Sequence, residues 1–203
     1  EEEEMTTLKE KISILEEKEV MLIVIDMING FVKEGKLADP EIAKIIPSII
    51  ELIGETKNEG GVITFSNDSH EVDSKEFKVY DPHAIKGTRE ALVVDELQPY
   101  TQGAVIYEKD FVNTMRIPEF REDIERMKRL RKVVVTGCCT DICVMQMVEA
   151  LLKRINRTNR NIEVIVPEFA VSTFEKLGHI RTEAQQYGLE EMEKSGARII
   201  RRK

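Results

Sequence analysis

Two hydrophobic patterns alternate along the chain. Val20 to Ile25 form an unbroken apolar run that stops at Asp26, which suits a central parallel strand covered on both faces. Between 41 and 58, Ile42, Ile45, Ile46, Ile49, Ile50 and Ile53 recur at helical spacing, and Gly60-Gly61 end that segment. The alternation then repeats. Val62 to Phe65 predicts a second strand running into Asn67-Asp68-Ser69-His70, and Ala104 to Tyr107 a third leading to Lys109. A polar loop with Pro82, His83 and Gly87 lies between them, and 91–97 fits neither period. Pro118 to Leu130 predicts a helix, Val133-Val134-Val135 a fourth strand, and Asp141 to about Arg154 another helix. Ile162 to Val166 reads as a strand, His179 to Lys194 as a helix and Arg198 to Ile200 as a short last strand.

Strands alternating with helices imply βαβ units. The expected fold is therefore α/β, with three layers (α/β/α) around a mostly parallel sheet of about six strands. No repeat or linker divides residues 20–203, so they read as one domain. Residues 1–19 form a charged arm with Leu8, Ile12 and Leu15 at helical spacing, suited to packing on the body or on a second subunit.

Composition narrows the partners. Thirty Lys and Arg against 38 Asp and Glu leave a net charge of −8, which argues against nucleic acid and against anionic membrane surfaces. No apolar run is long enough to span a bilayer. The acidic start carries no apolar signal core, and three cysteines, two of them adjacent, make no disulfide framework. Both features point to a reducing cytoplasm.

The candidate chemistry sits at the strand ends. In open parallel sheets, sites form just beyond the carboxyl ends of the strands, and Asp26, Asp68, Lys109 and Cys143 all follow such ends. After Val135 the chain turns through Gly137, with Thr140 as the expected N-cap and Cys143 in the first helical turn. A thiol there is expected to ionise below its free pKa of about 8.5, because the helix dipole favours an anion. Asp26 is placed to take its proton, and Lys109 to favour the charged forms of both. A second constellation joins Asp68 and His70, one residue apart, to His83. Carboxylate and imidazole suit zinc, manganese or iron(II), and Glu76 is available as a fourth ligand or to orient a metal-bound water. Three readings fit these residues: a cysteine hydrolase, a metallohydrolase using metal-bound water, and a binding protein without chemistry.

Five ordered motifs carry a family resemblance. They are Ile23-Val24-Ile25-Asp26-Met27 with Asn29-Gly30-Phe31, Asn67-Asp68-Ser69-His70, Tyr80 to Thr88, Glu108-Lys109, and Gly137 to Val144. Over roughly residues 20–200 the chain resembles the isochorismatase-like cysteine hydrolases, most closely the nicotinamidases. The resemblance implies their Rossmann-type three-layer fold and hydrolysis of a small amide, nicotinamide first, through a thioester. It implies Asp26, Lys109 and Cys143 as the catalytic set, and a cis peptide at Cys138-Cys139. The N–H groups of Cys139 and Cys143 would form the oxyanion hole. Asp68, His70 and His83, with Glu76 matching an acidic ligand of some members, would hold a divalent metal ion, zinc ahead of manganese or iron. Phe31 and Tyr80 would wall the substrate, and a homo-oligomer is expected. Asp81 and Ala84 depart from the Pro and Cys usual beside the metal histidine. Val112-Asn113-Thr114 departs from the aromatic-rich segment usual after the lysine. Both departures bear on which amide fits.

Overall fold

The computed structural model describes Ser13 and residues 15–202. Of the arm positions, Leu8 and Ile12 lie outside the described residues, while Leu15 is fully buried in the core.

Seven strands build one sheet in the order β3-β2-β1-β4-β5-β7, with β6 paired to β4. They are β1 (Val20–Ile25), β2 (Val62–Asp68), β3 (Val105–Lys109), β4 (Lys132–Cys138), β5 (Glu163–Pro167), β6 (Val171–Ser172) and β7 (Arg198–Ile200). Every pairing between these strands is parallel. The expected count was about six; the seventh, β6, is two residues long and too short to leave a periodic signal. Helices α1 (Ile46–Asn58), α2 (Pro118–Arg126), α3 (Met145–Thr158) and α4 (Arg181–Lys194) cover the two faces. Among the described residues, no helix is long and apolar enough to cross a membrane.

Side-chain alternation on the central strands explains the layering. Met21, Ile23 and Ile25 join Val133, Val135, Val164 and Val166 in the core beneath α2, α3 and α4. Leu22 and Val24 join Val134, Ile165 and the isoleucines of α1 on the opposite face. A strand sandwiched this way must be apolar at every position, hence the unbroken run at Val20–Ile25. Each fully buried aliphatic side chain contributes about 1.5–3 kcal/mol.

Several boundaries differ from the periodic reading for identifiable reasons. The isoleucine-rich segment is a 3-10 turn, Pro40–Ile45, followed by α1. Pro47 sits in the first turn of α1, where a proline needs no N–H partner, and it breaks continuity with the turn before it. Helix α2 stops at Arg126 rather than Leu130. There the Arg160 guanidinium donates to the carbonyls of Ile124 and Met127 and caps the end. Helix α4 begins at Arg181, two residues late, because His179 belongs to a turn closed by its own backbone bonds with Lys176.

Gly137 is not a turn between strand and helix. It lies inside β4 opposite Ile25, with φ of 109°. A Cβ there would meet the Ile25 carbonyl oxygen at 2.0 Å. Glycine is what lets the two central strands approach at their carboxyl ends, where the site begins.

Candidate active site

Four strand ends bring the titratable groups together. Asp26 is the first residue past β1, and its backbone turns left-handed at once (φ 53°), a conformation an aspartate tolerates better than most residues. The Asp26 N–H donates to the Ser66 carbonyl at 2.9 Å, and the Asp68 N–H donates to Asp26 Oδ1 at 2.9 Å. Lys109, the last residue of β3, donates from Nζ to Asp26 Oδ2 at 2.9 Å and also to Asp68 Oδ1. The side chains of Lys109 and Asp26 have no solvent exposure.

Burial dominates the electrostatics of this cluster. It pushes the Asp26 carboxyl up to about 6, helped by the neighbouring Asp68 charge and opposed by Lys109 and by a hydrogen bond from Cys143. Burial also acts on Asp68, yet the Lys109 ammonium wins and holds that carboxyl below its usual range. For Lys109 burial opposes the charge, but the Asp26 and Asp68 carboxylates outweigh it and keep the ammonium protonated.

Cys143 corrects the sequence reading of its acidity. It lies on a wide helical turn, Thr140–Val144, that precedes α3, with Cys139 rather than Thr140 in the N-cap position. Thr140 is inside the turn, and its hydroxyl bonds to Gln185 Oε1 at 2.5 Å instead of capping. The thiol is buried, and that burial drives its pKa well above that of a free cysteine despite the nearby Lys109 charge. The helix end does not offset the loss of water, so the thiol keeps its proton until a base takes it. Asp26 is near enough for the two groups to act on each other's ionisation, the thiol lowering the carboxyl and the carboxylate raising the thiol.

The peptide joining Cys138 to Cys139 is cis. The Cys139 carbonyl accepts from Ile142 and Val144 N–H groups, at 3.1 Å each, and passes over Cys143 between them. Cys138 is buried and its thiol donates to the Asp26 carbonyl at 3.2 Å. It serves the packing of the two strand ends.

The second cluster adjoins the first through one residue. Asp68 gives Oδ1 to Lys109, and its Oδ2 lies 3.6 Å from His70 Nε2 and 3.9 Å from His83 Nε2. One ligand atom from each of Asp68, His70 and His83 falls within 4.8 Å of the others. Neither ring nitrogen of the buried His70 has a hydrogen-bond partner, a state that costs free energy unless something else claims a lone pair. His83 Nδ1 donates to the Asp81 carbonyl at 2.8 Å, which leaves Nε2 with its lone pair facing the cluster. These donors suit a divalent metal. His83 is held in place because Ala84 and Lys86 pair with the backbone of His70, at 2.9 and 2.8 Å. Glu76 lies outside the triad, with Oε2 4.0 Å from His70 Nδ1.

The walls partly match expectation. The Phe31 ring packs on His83 with centroids 5.6 Å apart. Tyr80 is 54% exposed, and Phe77 instead packs edge-on or tilted against both His70 and His83, with centroids 5.6 Å apart in each case. The sequence reading missed Phe77, whose only signal was being the one aromatic residue in a charged stretch. It also missed that Asp68 serves both clusters, since two ligand types at spaced positions say nothing about a shared carboxylate.

Comparison with known proteins fits this geometry. The isochorismatase domain matches residues 20–203. The chain belongs to the isochorismatase family. It is 28% identical over 162 residues to nicotinamidase 1 of Arabidopsis thaliana, covering 73% of this chain and 66% of that protein. The structure of the Pyrococcus horikoshii pyrazinamidase, solved in complex with zinc, superposes with a TM-score of 0.76 at 27% identity, over 91% of this chain and 99% of that one. The N-carbamoylsarcosine amidase of Thermoplasma acidophilum gives 0.72 at 28% identity, over 90% and 96%. As a member of this family the chain is a hydrolase, and its three-layer parallel architecture is that of its structural relatives.

Proposed function

We propose that the protein hydrolyses a small carboxamide through a cysteine thioester, with nicotinamide, giving nicotinate and ammonia, as the first candidate. The observation that carries this is the Lys109 ammonium buried between Asp26 and Asp68, with the buried Cys143 thiol near enough to shift the ionisation of Asp26. The relatives named nicotinamidase and pyrazinamidase support the same chemistry.

The step order follows from the pKa directions. At neutral pH Asp26 is ionised and the Cys143 thiol is not, so proton transfer to Asp26 accompanies sulfur attack on the amide carbon. The tetrahedral oxyanion is received by the N–H groups of Cys139 and Cys143, each worth about 3 kcal/mol in comparable sites. Asp26 then gives its proton to the departing nitrogen, and ammonia leaves. A water loses a proton to Asp26 as it attacks the thioester, and Asp26 returns that proton to the Cys143 sulfur as the acid departs. Lys109 keeps a cation beside the carboxylate throughout, which limits how far its pKa climbs. Asp68, His70 and His83 would hold a divalent metal, zinc being the ion in the Pyrococcus relative. When bound it would supply a Lewis-acid anchor for a heteroatom of the substrate. Phe31 and Phe77 flank the two histidines and suit a flat ring; Tyr80 lies farther out.

The N-carbamoylsarcosine amidase relative favours a second reading, a carbamoyl or other non-aromatic amide handled by the same set. Ammonia release from nicotinamide, measured beside a panel of small amides with and without chelator, separates the two. Cys143→Ala should abolish turnover of any active amide while leaving thermal unfolding unchanged. Turnover near wild type in that variant overturns the assignment.

A further inference from the structure

The third histidine lies on the segment between β6 and α4, outside both clusters. Because β6 pairs with β4 at Ser172 and Cys138, the residues that follow run alongside the nucleophile turn. The segment folds back at Gly178, closed by Lys176 N–H to the His179 carbonyl (3.1 Å) and His179 N–H to the Lys176 carbonyl (2.8 Å). The His179 ring stacks on Phe174, with centroids 4.0 Å apart and planes 11° from parallel.

Its two nitrogens have partners of the same kind. Nδ1 is 3.0 Å from the Phe174 carbonyl, and Nε2 is 2.8 Å from Asp141 Oδ2. A carbonyl and a carboxylate both accept, and a neutral imidazole has one N–H to offer. Both contacts are hydrogen bonds when each ring nitrogen donates. Asp141 stands two residues before Cys143 on the nucleophile turn. The His179 ring thus connects the 173–180 segment to the turn that aims the sulfur.

The other charges nearby are engaged elsewhere or face outward. Glu175 accepts from the Arg181 N–H (2.7 Å), Arg181 Nε donates to the Thr173 carbonyl (2.9 Å), and its guanidinium also pairs with Asp39. Asp39 in turn accepts the Glu175 N–H at 2.8 Å. Lys176 is exposed at the fold-back. The turn is braced on its far side by α4, where a Cβ on Gly188 would meet the Thr140 carbonyl oxygen and the Asp141 Cα at 2.9 Å.

We propose that His179 is a positioning residue: its ring ties the 173–180 segment to the nucleophile turn through Asp141, and removal of the ring loosens the turn and slows turnover. The effect on rate rests on the reading of Cys143 as nucleophile; the tie itself does not. A sulfur displaced by about 1 Å can lose up to 100-fold in rate, so a tie at this point controls kcat more than substrate affinity.

Three measurements test it. Hydrogen exchange over 139–144 and 173–180 should rise in His179→Ala. That variant should lose roughly tenfold in kcat with a smaller change in KM. His179→Gln, which can still donate to Asp141, should recover part of kcat. A His179→Gln variant that recovers no kcat over His179→Ala overturns the proposal. So does His179→Ala with wild-type exchange and kcat. If the wild type turns over no amide, the function proposed above fails, and the exchange measurement still upholds or overturns the tie.

Discussion

Lys109→Met isolates the charge that the site is built around. The substitution keeps the aliphatic stem and removes an ammonium lying 2.9 Å from Asp26 and in contact with Asp68, all three side chains nearly or fully buried. Two carboxyls then remain side by side without a cation. Removing one partner of a buried ion pair costs about 3–5 kcal/mol, and for a domain this size each kcal/mol moves Tm by about 2–4 °C. The expected loss is therefore roughly 6–20 °C at neutral pH. Its pH dependence has a definite sign. In the variant both carboxyls titrate above their unfolded values of about 4, because burial and mutual repulsion oppose ionisation. Stability from such groups is fully present below the unfolded pKa and is lost as pH rises through the folded one. The wild type behaves differently at Asp68, whose lowered pKa contributes stability above the unfolded value and loses it as pH falls. Both trends shrink the difference between the two proteins on acidification. Thermal unfolding by circular dichroism of chelator-treated protein, at about pH 5 and about pH 7.5, reads the effect. Equal Tm losses at both pH values, or a loss under about 2 °C at the higher one, refute the reasoning.

Two further outcomes follow from the same geometry. With Asp26 held at about 6, kcat/KM should fall tenfold per unit as pH drops below that value, because the protonated carboxyl no longer takes the thiol proton; a rate that stays flat through that range removes Asp26 as the base. Gly137→Ala places a Cβ 2.0 Å from the Ile25 carbonyl oxygen at a φ of 109°. It should cost more than about 3 kcal/mol in urea unfolding, and wild-type stability in that variant would contradict the close approach of β1 and β4.

The layered fold was legible because buried parallel strands have to be apolar at every position. Val20–Ile25 and Val133–Val135 could hardly be anything else, and the strand-end rule then gathered Asp26, Asp68, Lys109 and Cys143 from four separate places. What escaped the sequence were features set by three-dimensional competition. Pro47 divides a segment whose isoleucine spacing alone runs straight through it. Thr140 has the chemistry of an N-cap, but Gln185 from a helix 45 positions later claims its hydroxyl. The acidity expected for Cys143 depended on the helix end, a local property, whereas its burial is a property of the whole core. Phe77, not the expected Tyr80, packs on the histidines, because the short 3-10 turn at Lys75–Lys78 decides which ring faces inward.

The cluster at Lys109 also dictates when in folding the protein becomes competent. Asp26 and Lys109 meet across 83 positions, Asp68 and Lys109 across 41, and Cys138 reaches the Asp26 carbonyl across 112. All strand pairings here are parallel, so no local hairpin assembles any part of the arrangement in advance. Loops of this length close late and slowly. During refolding, secondary structure and collapse should therefore precede the recovery of turnover, and the return of activity marks the arrival of the native topology itself.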